Sequence, residues 1–514
     1  MSQPGNRPES GRRYLLSVIG FSSTGRTVTS VLTLISFPIA LRAVGPAQFG
    51  VFVSVTALLN VVVCLADFGI AAAAGKAIAG ARVGGAASAR RELVRAARLQ
   101  AIVAAAALLP VIAVSFLAVA LAKRARLAPG FLLVMVLAAW IGVATNFVRS
   151  CLRSYLAFGR LAVLDAAEST VRTLTWLAAA WLVPSALGLA DATLVTAVVT
   201  STIGLVIVSR VGRSGEPAGQ GADADGDPST PWRSNGEFLR ESLSFLGMGL
   251  STKVFQSAPF MIFGLLLDAE MVGVIGAFAR LLEIVSFPFL TLGNALAVRA
   301  HEVKTRGTRA SAALWDACWR FVVLATVAMG AFLLTSDLVA RLLVPRSPNG
   351  PWAFALLSLA ILTYSVACFI PTMSDFVGGL YNRLVFLGAL ALGEIPFLWA
   401  AAAIYGDRGA VFGYLAVQLV MVVGYVLIAK RVFFGHARYA LPRYILESFG
   451  VVLAALVVSM ELKGRLGSEL ILPDGYPGIV ALVIYLALIA VSFLSLRGLR
   501  ERFLTPSLFE FTHN

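Results

Sequence analysis

The run AIVAAAALLPVIAVSFLAVALA (residues 101–122) carries no charged side chain. A helix of about 20 apolar residues crosses the hydrocarbon core of a bilayer. A helix that is apolar on every side has no face to offer water. Similar runs recur near 15–42, 47–74, 97–122, 130–152, 161–185, 189–210, 239–267, 271–298, 313–340, 352–374, 381–404, 408–430, 442–461 and 475–496. A membrane barrel would instead show short segments of alternating polarity. The expected fold is an all-α polytopic membrane protein with about fourteen transmembrane helices. They form two pseudo-repeated six-helix lobes plus two C-terminal helices.

Composition supports this reading. The chain is 59% hydrophobic and 13% charged, where soluble proteins are about 25% charged. The net charge of +15 does not indicate nucleic acid, because the basic residues lie in short loops between apolar runs. Such loops collect Lys and Arg at the cytoplasmic ends of spans. Examples are Lys76, Arg82, Arg90, Arg91, Arg95 and Arg98, then Arg299, Lys304, Arg306 and Arg309, then Lys430, Arg431, Arg438 and Arg443. This bias places both termini in the cytoplasm. The segment AKRAR (122–126) breaks the pattern on the outer side.

The four cysteines form no CxxC pair, and the three histidines fall in loops or the tail. No disulfide, metal site or cofactor is expected. The polar start MSQPGNRPESGRR precedes an apolar run without a small-residue cleavage site, so an uncleaved first span is expected.

One polar break, VGRSGEPAGQGADADGDPSTPWRSNG (211–236), is rich in Gly, Pro, Ser and Asp. It cannot bury a core. The expected organisation is an N-terminal lobe over 1–210, a disordered cytoplasmic linker over 211–237, a C-terminal lobe over 238–434, and spans thirteen and fourteen with a tail over 435–514. FPIALRAVGPAQFGVF (37–52) aligns without gaps to FMIFGLLLDAEMVGVI (260–275). AFGRLAVLDAAESTVRTLTWLAAAWLV (157–183) aligns to LYNRLVFLGALALGEIPFLWAAAAIYG (380–406) at the same offset. Two matches in one order make a parallel internal repeat, and transporters bind cargo between such halves.

The run ALRAVGPAQFGVFVSVTALLNVVVCLADFGIAAAAGKAIAG (40–80) resembles the opening of bacterial polysaccharide flippases. These belong to the multidrug/oligosaccharidyl-lipid/polysaccharide (MOP) superfamily. The residues that carry the resemblance are Gly45, then Phe49-Gly50, then Leu65-x-Asp67-x-Gly69, together with Gly159-Arg160 and AEMVGVIGAFARLLEI (269–284). The resemblance implies two six-helix lobes opening alternately to each side, and a lipid-linked oligosaccharide on a polyprenyl diphosphate as cargo. It implies that spans thirteen and fourteen are extra to the lobes. Membrane lipids and other polysaccharide-assembly proteins are the expected partners.

A flippase must carry a diphosphate through a medium where charge is costly. Arginine suits that task because its planar fork donates two hydrogen bonds at once. The basic residues read as span-embedded are Arg26, Arg172, Lys253, Arg280 and Arg320. In lipid II flippases, by resemblance, basic residues of the first and eighth spans line the cavity. Arg26, Lys253 and Arg280 are therefore the expected substrate-binding residues. The plainer readings are that Arg26 snorkels to the interface and that Arg280 pairs with Glu283 one turn on. Asp165, Glu168 and Arg172 share a helical face and form a structural pair or an ion-coupling site. Asp67 lies near an inner helix end. Glu394 lies deep in the eleventh span, ahead of Pro396, as a coupling residue or as a partner for backbone groups freed by the proline.

No catalytic residue is expected. The chain has no long outer loop, no intramembrane histidine and no P-loop, which weighs against a membrane-embedded polymerase or ligase and makes any pumping secondary. A drug/cation antiporter of the same superfamily is the other alternative. It would favour acidic residues deep in the N-terminal lobe, where Arg26 stands instead.

Overall fold

The computed structural model describes residues 29–81, 85–107, 129–155, 157–214, 235–286, 289, 308–345, 347–374, 380–434, 443–469 and 476–495. Its regular elements are all helices: α1 (Thr29–Val44), α2 (Pro46–Asp67), α3 (Ile70–Ala81), α4 (Ala86–Ala106), α5 (Pro129–Ser154), α6 (Phe158–Leu182), α7 (Ala186–Ser214), α8 (Asn235–Leu266), α9 (Ala269–Val285), α10 (Thr308–Leu343), α11 (Gly350–Leu357), α12 (Leu359–Ser374), α13 (Leu380–Phe434), α14 (Arg443–Glu469) and α15 (Tyr476–Ser495). The chain is an all-α, multi-pass membrane protein. Among the described residues six helices are long and apolar enough to cross a membrane, or seven if the pair α11 and α12, bent by 41°, is one span. Of the fourteen expected spans, residues 15–28, 108–122 and 290–298 lie outside the described residues.

Local chemistry sets the breaks between helices. Gly45 has φ +85° and precedes Pro46, which opens α2. Proline fits the first helical turn because its missing N–H would have no partner there. The single long helix α13 covers two expected spans and is interrupted at Gly406, where φ is +58° and ψ −139°. Only glycine adopts that conformation without strain.

The described residues pack as two compact units, Met1–Val272 and Gly273–Asn514. In the first unit α5 packs on α7, α6 on α7, and α2 and α3 pack on both α5 and α8. Helix α8 thus belongs by packing with the helices before the 211–236 segment, although the sequence repeat makes it the start of the second half. Phe37, Phe49, Phe52 and Trp176 form a chain of ring contacts from α1 through α2 to α6. A second core is built on Ile70, Ile78, Leu93, Phe147, Leu152 and Phe238.

In the second unit the Phe278 ring meets Phe332 and Phe354 edge-on. The hairpin of α14 and α15 is fastened to α10. The Tyr485 hydroxyl donates to the Val327 carbonyl at 3.4 Å, and Lys463 pairs with Asp337 at 2.6 Å. Gly478 lies so close that an added Cβ would stand 2.6 Å from the Leu334 carbonyl oxygen.

Candidate functional site: polar groups within the spans

Charged side chains in apolar spans are costly and mark function by default. In the first unit those in and beside the expected spans form two groups. Arg149 on α5 donates through Nε to Asp165 Oδ1 at 3.1 Å and through Nη2 to Glu168 Oε2, both on α6. Arg172 approaches the other Glu168 oxygen at 3.9 Å. The expected Glu168–Arg172 pair is therefore the outer part of a larger network centred on Arg149. One residue from Glu168, the Ser169 hydroxyl donates to Thr29 Oγ1 at 2.7 Å and so ties α6 to α1. Arg149 was not singled out by sequence because it stands near a span end. Its signal was a basic residue three positions inside the expected 130–152 span, followed by an acidic pair one helix later.

The second group lies where α2 gives way to α3. Phe68 has φ +52° and Gly69 φ +72°, so the chain turns sharply between the two helices. The Asp67 carboxylate lies near the backbone N–H groups of Gly69 and Ala71 at the start of α3. Its Oδ1 is buried without a hydrogen-bond partner. Helix α8 runs against this turn. Gly249 abuts Cys64, with an added Cβ 3.2 Å from Sγ, and Lys76 of α3 forms an ion pair with Glu241 of α8. Lys253, one turn beyond Gly249, is exposed. Arg26 lies outside the described residues.

In the second unit Arg280 Nη1 donates to Glu283 Oε2 at 2.9 Å, the i,i+3 pairing that the sequence allows. The pair is not sealed in: the side chains are 33% and 54% exposed. The Tyr364 hydroxyl on α12 is within electrostatic reach of both. Tyr414, on the second half of α13, is within reach of both Glu283 and Glu394. Glu394 is 1% exposed, and among the described residues neither of its carboxylate oxygens has a hydrogen-bond partner. Pro396 stands two residues further along the same helix, where it frees the carbonyl of residue 392. A carboxylate oxygen cannot satisfy a carbonyl, so the partner role for Glu394 would require its acid form. The tyrosines were not singled out by sequence, since aromatic residues in apolar helices read as core.

Arg320 has a structural place. Its Nε and Nη2 each donate to the Tyr444 hydroxyl at 3.3 Å, and its guanidinium lies 5.5 Å from the ring centroid. That joins α10 to α14.

Residues 15–298 match the model of a protein family described as polysaccharide biosynthesis protein, which is more than half of the chain. The chain belongs to this polysaccharide biosynthesis family. Among curated proteins, none matches the sequence significantly. Solved structures share the fold over most of the chain. The lipid II flippase MurJ, in an inward closed conformation, is 11% identical, covers 94% of this chain and 99% of its own, and has a TM-score of 0.68. An inward-facing multidrug resistance MATE family transporter of the MOP superfamily is 18% identical, covers 82% and 97%, and has a TM-score of 0.58. The bent form of the Vibrio cholerae MATE transporter VcmN is 16% identical, with coverage of 82% and 98% and a TM-score of 0.50. This member of the polysaccharide biosynthesis family therefore shares its fold with the lipid II flippase MurJ and the MATE transporters.

Proposed function

We propose that the protein is a secondary transporter that flips a polyprenyl-diphosphate-linked oligosaccharide from the inner to the outer leaflet. It would do so by alternating access of a cationic cavity, for cell-surface polysaccharide synthesis. The reading includes both termini in the cytoplasm and a place in the bacterial inner membrane. The observation that carries it is the Arg280–Glu283 pair: a guanidinium on the apolar helix α9, within the expected 271–298 span, held by one carboxylate and still partly exposed. Such an arginine can exchange its carboxylate for a phosphate, because both acceptors fit the same planar fork. Lys253 and Arg26 are further cations assigned to cargo binding on the sequence and the resemblance. The family match supports polysaccharide cargo, and the wider coverage by the lipid II flippase fold than by the MATE folds supports a lipid-linked one.

Coupling is assigned to Glu394. A carboxyl group with no partner inside a helix bundle can take up and lose a small cation without breaking an existing contact. Asp165, Glu168 and Arg172 are assigned structural roles by their pairs, and Asp67 by its place at the α2–α3 turn.

Purified protein in proteoliposomes containing a fluorescent polyprenyl-diphosphate oligosaccharide tests the reading. Cargo reaching the outer leaflet in wild type, with loss in Arg280→Gln and Lys253→Gln, is the expected result. Absence of flipping in wild type, with efflux of organic cations from the same vesicles, would favour the antiporter reading that the MATE folds also permit.

A further inference from the structure

Helix α4 presents a face that none of its packed neighbours covers. Its buried side is made of Ala89, Leu93, Ala96 and Gln100, packed against α2, α3, α5 and α7. The Gln100 amide donates to the Ala66 carbonyl at 3.4 Å. The one acidic residue of the helix, Glu92, is also buried and accepts from Arg95 Nη1 at 3.3 Å. On the opposite side Arg90, Arg91, Val94, Arg98, Ala101 and Ile102 are all exposed. Their spacings of three, four and seven to eight residues place them in one stripe.

The stripe changes character along its length. Up to Arg98 it is cationic, with Val94 43% exposed between the arginines. From Ala101 it is apolar, and Ile102 is 65% exposed. At 1.5 Å per residue, Arg90 and Arg98 are about 12 Å apart, and Ile102 lies about 6 Å beyond Arg98. A cationic stretch followed at once by an apolar one is the complement of a lipid with an anionic headgroup. A soluble phosphate would use the arginines and leave Ile102 in water. A zwitterionic lipid would bring its own cation against them.

We infer that this face of α4 is a docking site for an anionic phospholipid of the surrounding bilayer. The headgroup phosphate lies along Arg90, Arg91 and Arg98, and an acyl chain lies over Ile102. Arginine suits the headgroup because its fork binds phosphate through two parallel hydrogen bonds. The inference does not depend on the cargo.

Native mass spectrometry of the purified full chain, titrated with phosphatidylglycerol or phosphatidylcholine and with no cargo present, tests it. Wild type is expected to prefer phosphatidylglycerol. The triple variant Arg90→Gln, Arg91→Gln, Arg98→Gln is expected to lose that preference, by roughly fivefold per arginine. Arg98→Gln alone serves if the triple variant does not fold. The control Lys430→Gln, Arg431→Gln, Arg443→Gln removes equal charge elsewhere and is expected to keep the preference. An unchanged preference in the α4 variants overturns the site. So does an equal loss in the control, which would mean attraction by net charge alone. Displacement of the lipid by millimolar inorganic pyrophosphate would also overturn it, by making the face a site for free anions.

Discussion

Gly69 lies against Ser242. A Cβ added to Gly69 would stand 2.2 Å from the Ser242 carbonyl oxygen and 2.6 Å from the Leu246 nitrogen. Both neighbours are backbone, so neither can swing aside, and Gly69 itself has φ +72°. Gly69→Ala is therefore expected to lower stability through two independent effects. The left-handed backbone alone costs about 1–3 kcal/mol, and the clash parts α3 from α8. Thermal unfolding in detergent checks this. Gly85→Ala is the comparison, since Gly85 has φ +97° but open space around it, and it should show the smaller loss.

The Lys76–Glu241 pair joins the same two helices at a more open position, with Lys76 59% exposed. Exposed pairs contribute about 0.2–1 kcal/mol. A double-mutant cycle with Lys76→Ala and Glu241→Ala is expected to give a coupling within that range, diminishing as salt is raised. The exchange Lys76→Glu with Glu241→Lys should restore most of what either single change loses.

Arg149 holds two carboxylates and Arg172 only the far oxygen of one. Arg149→Met leaves Asp165 and Glu168 facing each other without their principal cation. The expected loss is about 1–3 kcal/mol, below that of a fully buried broken pair because all four side chains keep some access to solvent. Arg172→Met should cost less. Adding Glu168→Gln to Arg149→Met should recover stability, measured by the same unfolding assay.

Glu394→Gln keeps the shape and the buried position of the side chain but cannot exchange a proton or bind a cation by charge. Expression and thermal stability are expected to stay within about 1 kcal/mol of wild type, because no hydrogen bond to the carboxylate is lost. Flipping driven by an ion gradient is expected to fail in proteoliposomes. Unchanged gradient dependence in this variant would remove Glu394 from the coupling role.

Much of the fold was legible because a bilayer imposes a length and a polarity on each span. The turn at Gly45, the break at Gly406 and the α14–α15 hairpin all fall where the apolar runs are interrupted. The i,i+3 pair of Arg280 and Glu283 was legible as well, since helix geometry alone brings those residues together. Contacts between helices were not. Nothing in the local sequence of α5 tells that Arg149 faces Asp165, which is sixteen residues on and on another helix. The same holds for Asp67: near a helix end its default is solvation, and the burial of its Oδ1 depends on the sharp turn at Phe68 and Gly69. Arg26 lies outside the described residues, so the first-span cation rests on sequence and resemblance.

The turn between α2 and α3 has a mechanical meaning. A continuous helix transmits a tilt from one end to the other, as a rod does. Two helices joined through Phe68 and Gly69 are instead separate levers sharing a pivot. The close approach of Gly69 to α8 sets the clearance of that pivot. Helices α2 and α3 can then take different directions while both stay packed on α8.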